Sequence, residues 1–326
     1  MSTPVIAIHG GAGTITRSAL SEADEARYLA ELKVILLAAQ TVLSAGGSAL
    51  DAVSEAVRLL EDCPLFNAGK GAVYTRAGTH ELDAAIMDGS NLKAGAVANV
   101  TCVRNPVLAA RAVMEKSAHV LLAGCGADAF ARQQGLDIVD PTYYQTEARH
   151  QQWLRVREQS GMMLDHDAAA FTFKESSHGT APIDPDNKFG TVGAVALDMH
   201  GNLAAATSTG GITNKQVGRV GDTPLIGAGC YAANATAAVS ATGTGEVFIR
   251  TVAAYDVAAR MAYAGATLQE AVEQVVMEVL PAHEGRGGLI AVDAQGNVVL
   301  SFNTEGMYRG YARGAEAPVT AIYKQQ

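Results

Sequence analysis

Residues 191–211 read TVGAVALDMHGNLAAATSTGG. Two runs of small and β-branched residues flank His200-Gly201-Asn202, and apolar runs of that length around a glycine-containing turn predict a hairpin of buried strands. Residues 287–306, GGLIAVDAQGNVVLSFNTEG, repeat the D-x-x-G-N turn and the threonine-containing end. Two ordinary hairpins of one sheet would read this way, and so would two stacked hairpins of similar local geometry.

Working outward, strands and helices come in blocks. Val5–Ile8 predicts a buried strand running into a glycine turn at HGGAG, residues 9–13. Ser21 with Asp24, and Ser48 with Asp51, mark the starts of two helices, the first stopped by Gly46-Gly47 and the second closed near Asp62 by Pro64. After the loop CPLFNAGKGAVYT (63–75), strands are expected at 82–87 and 95–103. A helix should open at Asn105-Pro106, followed by a strand at 120–123 and a helix around Trp153. Residues 161–189 are polar, proline-bearing and aperiodic, and read as a flexible linker. Two helices, 246–263 and one opened by Thr267 with Glu270, separate the two hairpins. Blocks of this kind favour an α+β class, with layered sheets and outer helices, over a doubly wound sheet.

Composition narrows the function. Of 326 residues, 24 are Lys or Arg and 33 Asp or Glu, a net charge of −9 with no basic run, which excludes a polyanion-binding surface and hence nucleic acid. No apolar stretch is long enough for a membrane span. The start, MSTPVIAIHGGAG, lacks a basic, then apolar, leader and reads as a first strand, which points to the cytoplasm. Cys63, Cys102, Cys125 and Cys230 are scattered, without metal-ligand or disulfide spacing.

Four places could carry chemistry. HGGAG lacks the spacing of either phosphate-binding glycine motif, and His9 reads as a satisfied strand-end histidine rather than a ligand. Thr191 follows Gly190 at the end of the polar segment. It reads as an ordinary β-former, or as a residue exposed by chain cleavage. In the second case its α-amine, with a reference pKa of about 7.7–8.0, could serve as base for its own hydroxyl. Arg219 and Asp222 lie three apart. They read either as a surface ion pair or as a guanidinium and a carboxylate that receive an amino acid's α-carboxylate and α-amine. ATGTG, 241–245, precedes a helix, where N–H groups could hold an oxyanion.

The order of these motifs is more specific than any one of them. HGGAG, NAGKGAV, GTVGAVALD, ATSTGG, GRVGDTP and TGTGE follow one another across residues 4 to about 323. In this the chain resembles the plant-type L-asparaginase / isoaspartyl peptidase family of N-terminal-nucleophile hydrolases, the bacterial members above all. The resemblance implies a four-layer αββα sandwich made as one precursor. Self-cleavage at Gly190-Thr191 would give an α subunit, 1–190, and a β subunit, 191–326, together one folded domain, and two such αβ units would pair. It implies hydrolysis of β-aspartyl dipeptides and L-asparagine, with Thr191 as nucleophile and Thr209 as its supporting hydroxyl. The hydroxyl of Thr242 and the backbone of Gly243 would be oxyanion donors. Arg219, Asp222 and Gly245 would form the substrate-holding set, and Asn67 would help to place the nucleophile. No organic cofactor is implied. A structural sodium ion is, through backbone carbonyls of Leu60, Glu61, Cys63, Phe66, Ala68 and Lys70, the last standing where the family more often has an aliphatic residue. A glycosylasparaginase of the same superfamily would more usually carry aspartate where this chain has Gly190. A non-catalytic metabolite-binding protein using the glycine loops would remain one chain.

Overall fold

The hairpin at 191–211 forms as β6 (Val192–Leu197) and β7 (Leu203–Thr209), in antiparallel register from Val192↔Ser208 to Leu197↔Leu203. The computed structural model describes residues 2–18, 20–164 and 188–324, leaving aside the side chains at 159–164, 188 and 189. Asp198 closes the β6–β7 turn by accepting the N–H groups of His200 and Asn202 at 2.9 and 3.0 Å. The echo at 287–306 repeats this turn. β10 (Gly287–Asp293) leads to Asp293, which accepts from Gln295 and Asn297 at 3.0 and 2.9 Å before β11 (Val298–Phe302). Gly201 and Gly296 both take the positive φ the turn needs, +85° and +80°. The hairpins belong to different sheets, so of the two readings the second, alike but not in one sheet, describes them.

The nine-stranded sheet also takes in β1 (Val5–Gly13), β2 (Leu82–Asp88), β3 (Ala94–Val100), β4 (Leu121–Ala123), β5 (Lys188–Phe189), β12 (Gly306–Arg313) and β13 (Val319–Tyr323). Its order is β13-β12-β1-β6-β7-β2-β3-β4, with β5 paired to β1, so residues before and after 190 interleave in it. The four-stranded sheet runs β11-β10-β9-β8, where β8 is Cys230–Ala232 and β9 is Ala237–Gly243.

Alternation along the strands sorts apolar side chains into three clusters. Ile6, Ile8, Ala194 and Ala206 pack with α1 (Glu22–Ser44), α2 (Ala49–Asp62) and α3 (Pro106–Lys116). Val5, Ala7, Val195 and Ala205 pack against Ala238, Ile290 and Val292 of the second sheet. The opposite face of that sheet, Val239, Ala241, Leu289 and Ala291, packs with α6 (Gly245–Thr251), α7 (Ala253–Ala264) and α8 (Leu268–Gln274). The α+β class stands. Among the described residues no helix is long and apolar enough to cross a membrane.

The expected caps form. Ser21 Oγ accepts from Asp24, and Ser48 and Thr267 each make full capping boxes, interactions typically worth about 1 kcal/mol apiece. Several expectations are corrected. HGGAG is not a turn, because β1 continues through it by means of a bulge between His9 and Ala12. Asn105 and Pro106 open α3 as expected, but the Asn105 side chain makes no cap hydrogen bond. Its amide reaches back to Asp62 and Arg58, and the Val107 N–H is taken instead by the buried Glu61 carboxyl at 2.9 Å. The expected helix 246–263 breaks at Val252, held at φ +50°, where α7 restarts by donating the N–H groups of Ala254 and Tyr255 to the carbonyls of Ala228 and Gly227. A helix α4, Gly124–Gln133, goes unforeseen because two glycines obscure its pattern. The two ends of the expected linker 161–189 belong to regular elements. Helix α5, Glu147–Leu164, runs into it and β5 ends it, and 165–187 lie outside the described residues.

Candidate active site

The Gly190-Thr191 peptide sits where a ladder slips. β1 pairs with β6 as far as His9↔Gly193 and with β5 from Ala12↔Phe189. Two residues of β1, Gly10 and Gly11, therefore face three of the other strand, Gly190, Thr191 and Val192. Such a bulge interrupts pairing and re-aims side chains, and bulges of this kind gather beside active sites. Gly190 has no room for a side chain, since a Cβ would collide with Asn67.

Thr191 is 8% exposed, and its Oγ donates to Thr209 Oγ at 3.0 Å, while Thr209 Oγ also accepts the Gly211 N–H at 3.0 Å. The chain is continuous here, so the Thr191 nitrogen is an amide. Its carbonyl accepts from His9 Nδ1 at 3.0 Å.

A small cleft brings Thr191 and Thr209 together with Arg219, Asp222, Gly243, Gly211 and Thr223. Three other expected site residues stand just behind this lining. Thr242 is fully buried on β9, one residue before Gly243. Gly245 lies beneath the charged pair. A Cβ on it would come within 2.8 Å of Arg219 Nη2 and 2.9 Å of Asp222 Oδ1, so glycine there lets the two groups converge. Asn67 braces the rim, donating to the Gly211 carbonyl at 2.7 Å and accepting the Val73 N–H at 2.9 Å.

Arg219 and Asp222 are not a surface ion pair. The Arg219 fork engages Glu246, Nε to Oε1 and Nη2 to Oε2, both at 3.1 Å. Glu246 follows directly on TGTG, and its place after a glycine-rich helix start was the available signal for it. Asp222 is 4% exposed, and its Oδ2 has no protein partner. Burial pushes its carboxyl up to about 7, against the pull of Arg219. A buried carboxylate oxygen without a partner, in a cleft with a guanidinium, is suited to a ligand's ammonium beside that ligand's carboxylate.

The loop expected to hold a cation folds tightly. Lys70 N–H donates to the Glu61 carbonyl at 2.7 Å and Phe66 N–H to that of Cys63 at 3.4 Å, with Gly69 at φ +49° against Glu61. The Lys70 ammonium lies 5.6 Å from the centre of the Tyr143 ring, within cation–π range. The Glu61 carboxyl accepts the Val107 N–H through Oε1 at the start of α3, and its buried Oε2 has no hydrogen-bond partner. Among the described residues no cluster of His, Cys, Asp or Glu suits a metal ion.

Comparison with known proteins decides the lineage. Residues 2–322 match the family described as Asparaginase. The chain belongs to that family. It is 60% identical over 325 residues to the isoaspartyl peptidase of Salmonella typhimurium, covering 100% of both chains. It is 58% identical over 326 residues to the isoaspartyl peptidase of Escherichia coli, covering 100% of this chain and 98% of that one. With the plant-type L-asparaginase of Pyrococcus abyssi the identity is 43% over 322 residues, 97% of this chain and 99% of the other.

Proposed function

We propose that this protein is an autoprocessed amidohydrolase that releases L-aspartate from β-aspartyl dipeptides and L-asparagine through an acyl-enzyme on Thr191. The observation that carries this is the Thr191–Thr209 hydroxyl pair sharing a cleft with Arg219 and the unpartnered oxygen of Asp222. In maturation, Thr191 Oγ attacks the Gly190 carbonyl, the C–N bond breaks to an ester, and water releases the Gly190 carboxylate and a free Thr191 amine. The α region 1–190 and β region 191–326 stay interleaved in one sheet as a four-layer αββα sandwich, supported by the three apolar clusters. In turnover the amine takes the Thr191 hydroxyl proton as Oγ attacks the side-chain carbonyl. The Thr242 hydroxyl and the Gly243 N–H hold the oxyanion. The proton passes to the departing nitrogen, and ammonia or an amino acid leaves. Water, deprotonated by the same amine, then frees aspartate. Arg219 holds the α-carboxylate and Asp222 the α-ammonium. A dimer of αβ units in the cytoplasm goes with this reading.

The Asp222 role has a pH signature. In the folded free enzyme its carboxyl is raised, so it holds a proton up to about pH 7, and affinity for an ammonium grows as that proton leaves. The Thr191 amine must also be unprotonated, with a reference pKa of about 7.7–8.0. The acid limb of kcat/KM should therefore carry two protons in the wild type and one in Asp222→Asn. A one-proton limb in both would remove Asp222 from the ammonium site. The same shift weakens the ligand-free fold as pH rises from the unfolded carboxyl range through about 7.

We further propose sodium at the carbonyls of Leu60, Glu61, Cys63, Phe66, Ala68 and Lys70. Neutral oxygens suit a hard cation, and a carbonyl that already accepts one N–H keeps a second lone pair. The ion would supply no chemistry, only hold the loop that carries Asn67. Replacing sodium by choline at equal ionic strength should lower the Tm by a few degrees. Identical melting in both salts would contradict a bound ion.

A further inference from the structure

The geometry points to His9 as a positioning residue for the nucleophile: through Nδ1 it grips the Thr191 carbonyl and so fixes the residue that cleavage turns into a chain terminus. This rests on the reading of Thr191 as nucleophile. Once the Gly190-Thr191 bond opens, nothing precedes Thr191, and terminal residues fray unless tied down. Ladder pairing begins one residue later, at Val192. Two of the ties on Thr191 itself are the hydroxyl contact to Thr209 and the carbonyl contact to His9. The first involves the reacting oxygen and must change as that oxygen attacks. The second involves no reacting atom and can persist through every step, which is what holding a near-attack geometry requires.

The donor direction follows from counting protons. A carbonyl only accepts, so His9 Nδ1 carries the ring's one proton. Burial holds the imidazole neutral, its pKa down at about 3. His9 Nε2 then accepts from Ser240 Oγ at 2.9 Å. Ser240 has a single proton, so its 2.7 Å contact with Thr207 uses the Thr207 hydroxyl as donor, for which the Gly229 carbonyl, at the longer distance of 3.2 Å, competes. The chain Thr207, Ser240, His9, Thr191 thus runs one way, and all three supporting side chains are fully buried. Gly193, paired with His9, leaves it room: a Cβ would come within 2.5 Å of His9 Nε2 and collide with Ser240 Oγ.

Three variants of the complete chain separate positioning from packing. Asn keeps an N–H on the atom attached to Cγ, where Nδ1 sits. Gln moves it one carbon further, toward Ser240. Leu fills space with no donor. In fully cleaved enzyme, His9→Gln and His9→Leu should lose about tenfold in kcat with KM within about twofold, while His9→Asn stays within about threefold of wild type. A packing role predicts the reverse order, because Gln is nearer His in volume. A Gln variant equal to or better than Asn, or unchanged kcat in all three, would overturn the assignment. Should the variants not fold, ring ¹⁵N spectra of the wild type decide. The proton should stay on His9 Nδ1 from about pH 5 to about pH 9, and a proton on Nε2 or a ring that titrates in that range refutes it. Failure of the nucleophile reading would show itself separately, as turnover by Thr191→Ala.

Discussion

Thr191→Ala protein should purify as one uncut 33.7 kDa chain and turn over neither β-aspartyl dipeptides nor L-asparagine. The change removes the atom that makes both attacks, on the Gly190 carbonyl and on the substrate. Removing a nucleophile that acts in concert with its base typically costs 10⁴-fold or more in kcat, since the two work as a unit. The fold should survive, because the Thr191 side chain is small and its hydroxyl makes one neutral contact, to Thr209, worth roughly 1 kcal/mol. Thr191→Ser keeps the hydroxyl and should still mature. Gel migration and steady-state turnover, measured on the same preparations, check both halves. Cleavage at this bond in the alanine variant would remove the autocatalytic account even if turnover were lost.

Arg219→Ala should lose roughly 10²–10⁴-fold in kcat/KM, from paired charge-assisted hydrogen bonds worth about 1.5–3 kcal/mol each. Arg219→Lys should be poorly tolerated, because an ammonium cannot reproduce the fork that now meets both oxygens of Glu246. The same pocket sets linkage preference. A β-aspartyl dipeptide leaves its aspartyl α-carboxylate free for Arg219, whereas an α-aspartyl dipeptide has that carboxyl in the scissile bond. Converting the free α-carboxylate to an amide should cost about 10–100-fold. Equal turnover of α- and β-linked dipeptides by matured enzyme would contradict the assignment of Arg219.

Features set by neighbouring residues were legible in the chain. The turns at Asp198 and Asp293 and the caps at Ser21, Ser48 and Thr267 depend on side chains two to four residues from the groups they bind, and each formed where expected. What escaped depends on distant partners. Val252 is a β-branched residue forced to positive φ by bonds from the next two and three residues to carbonyls at 227 and 228, which no local pattern encodes. HGGAG carries turn composition, but strands on both flanks draw it into the sheet as a bulge. Arg219 and Asp222 were rightly placed in one loop, yet the Arg219 partner, Glu246, comes from the start of α6. The sequence reads His9 as a satisfied strand-end histidine; its ring is satisfied, but it lies inside β1, and its partners Thr191 and Ser240 are 182 and 231 residues away.

Intact-mass measurement and N-terminal sequencing of the freshly purified wild-type protein test the central claim most directly. Two fragments should be found, the smaller comprising residues 191–326 and beginning Thr-Val-Gly-Ala. A single uncut chain that hydrolyses β-aspartyl dipeptides at full rate, or a cut at any other bond, would contradict Thr191 as an N-terminal nucleophile.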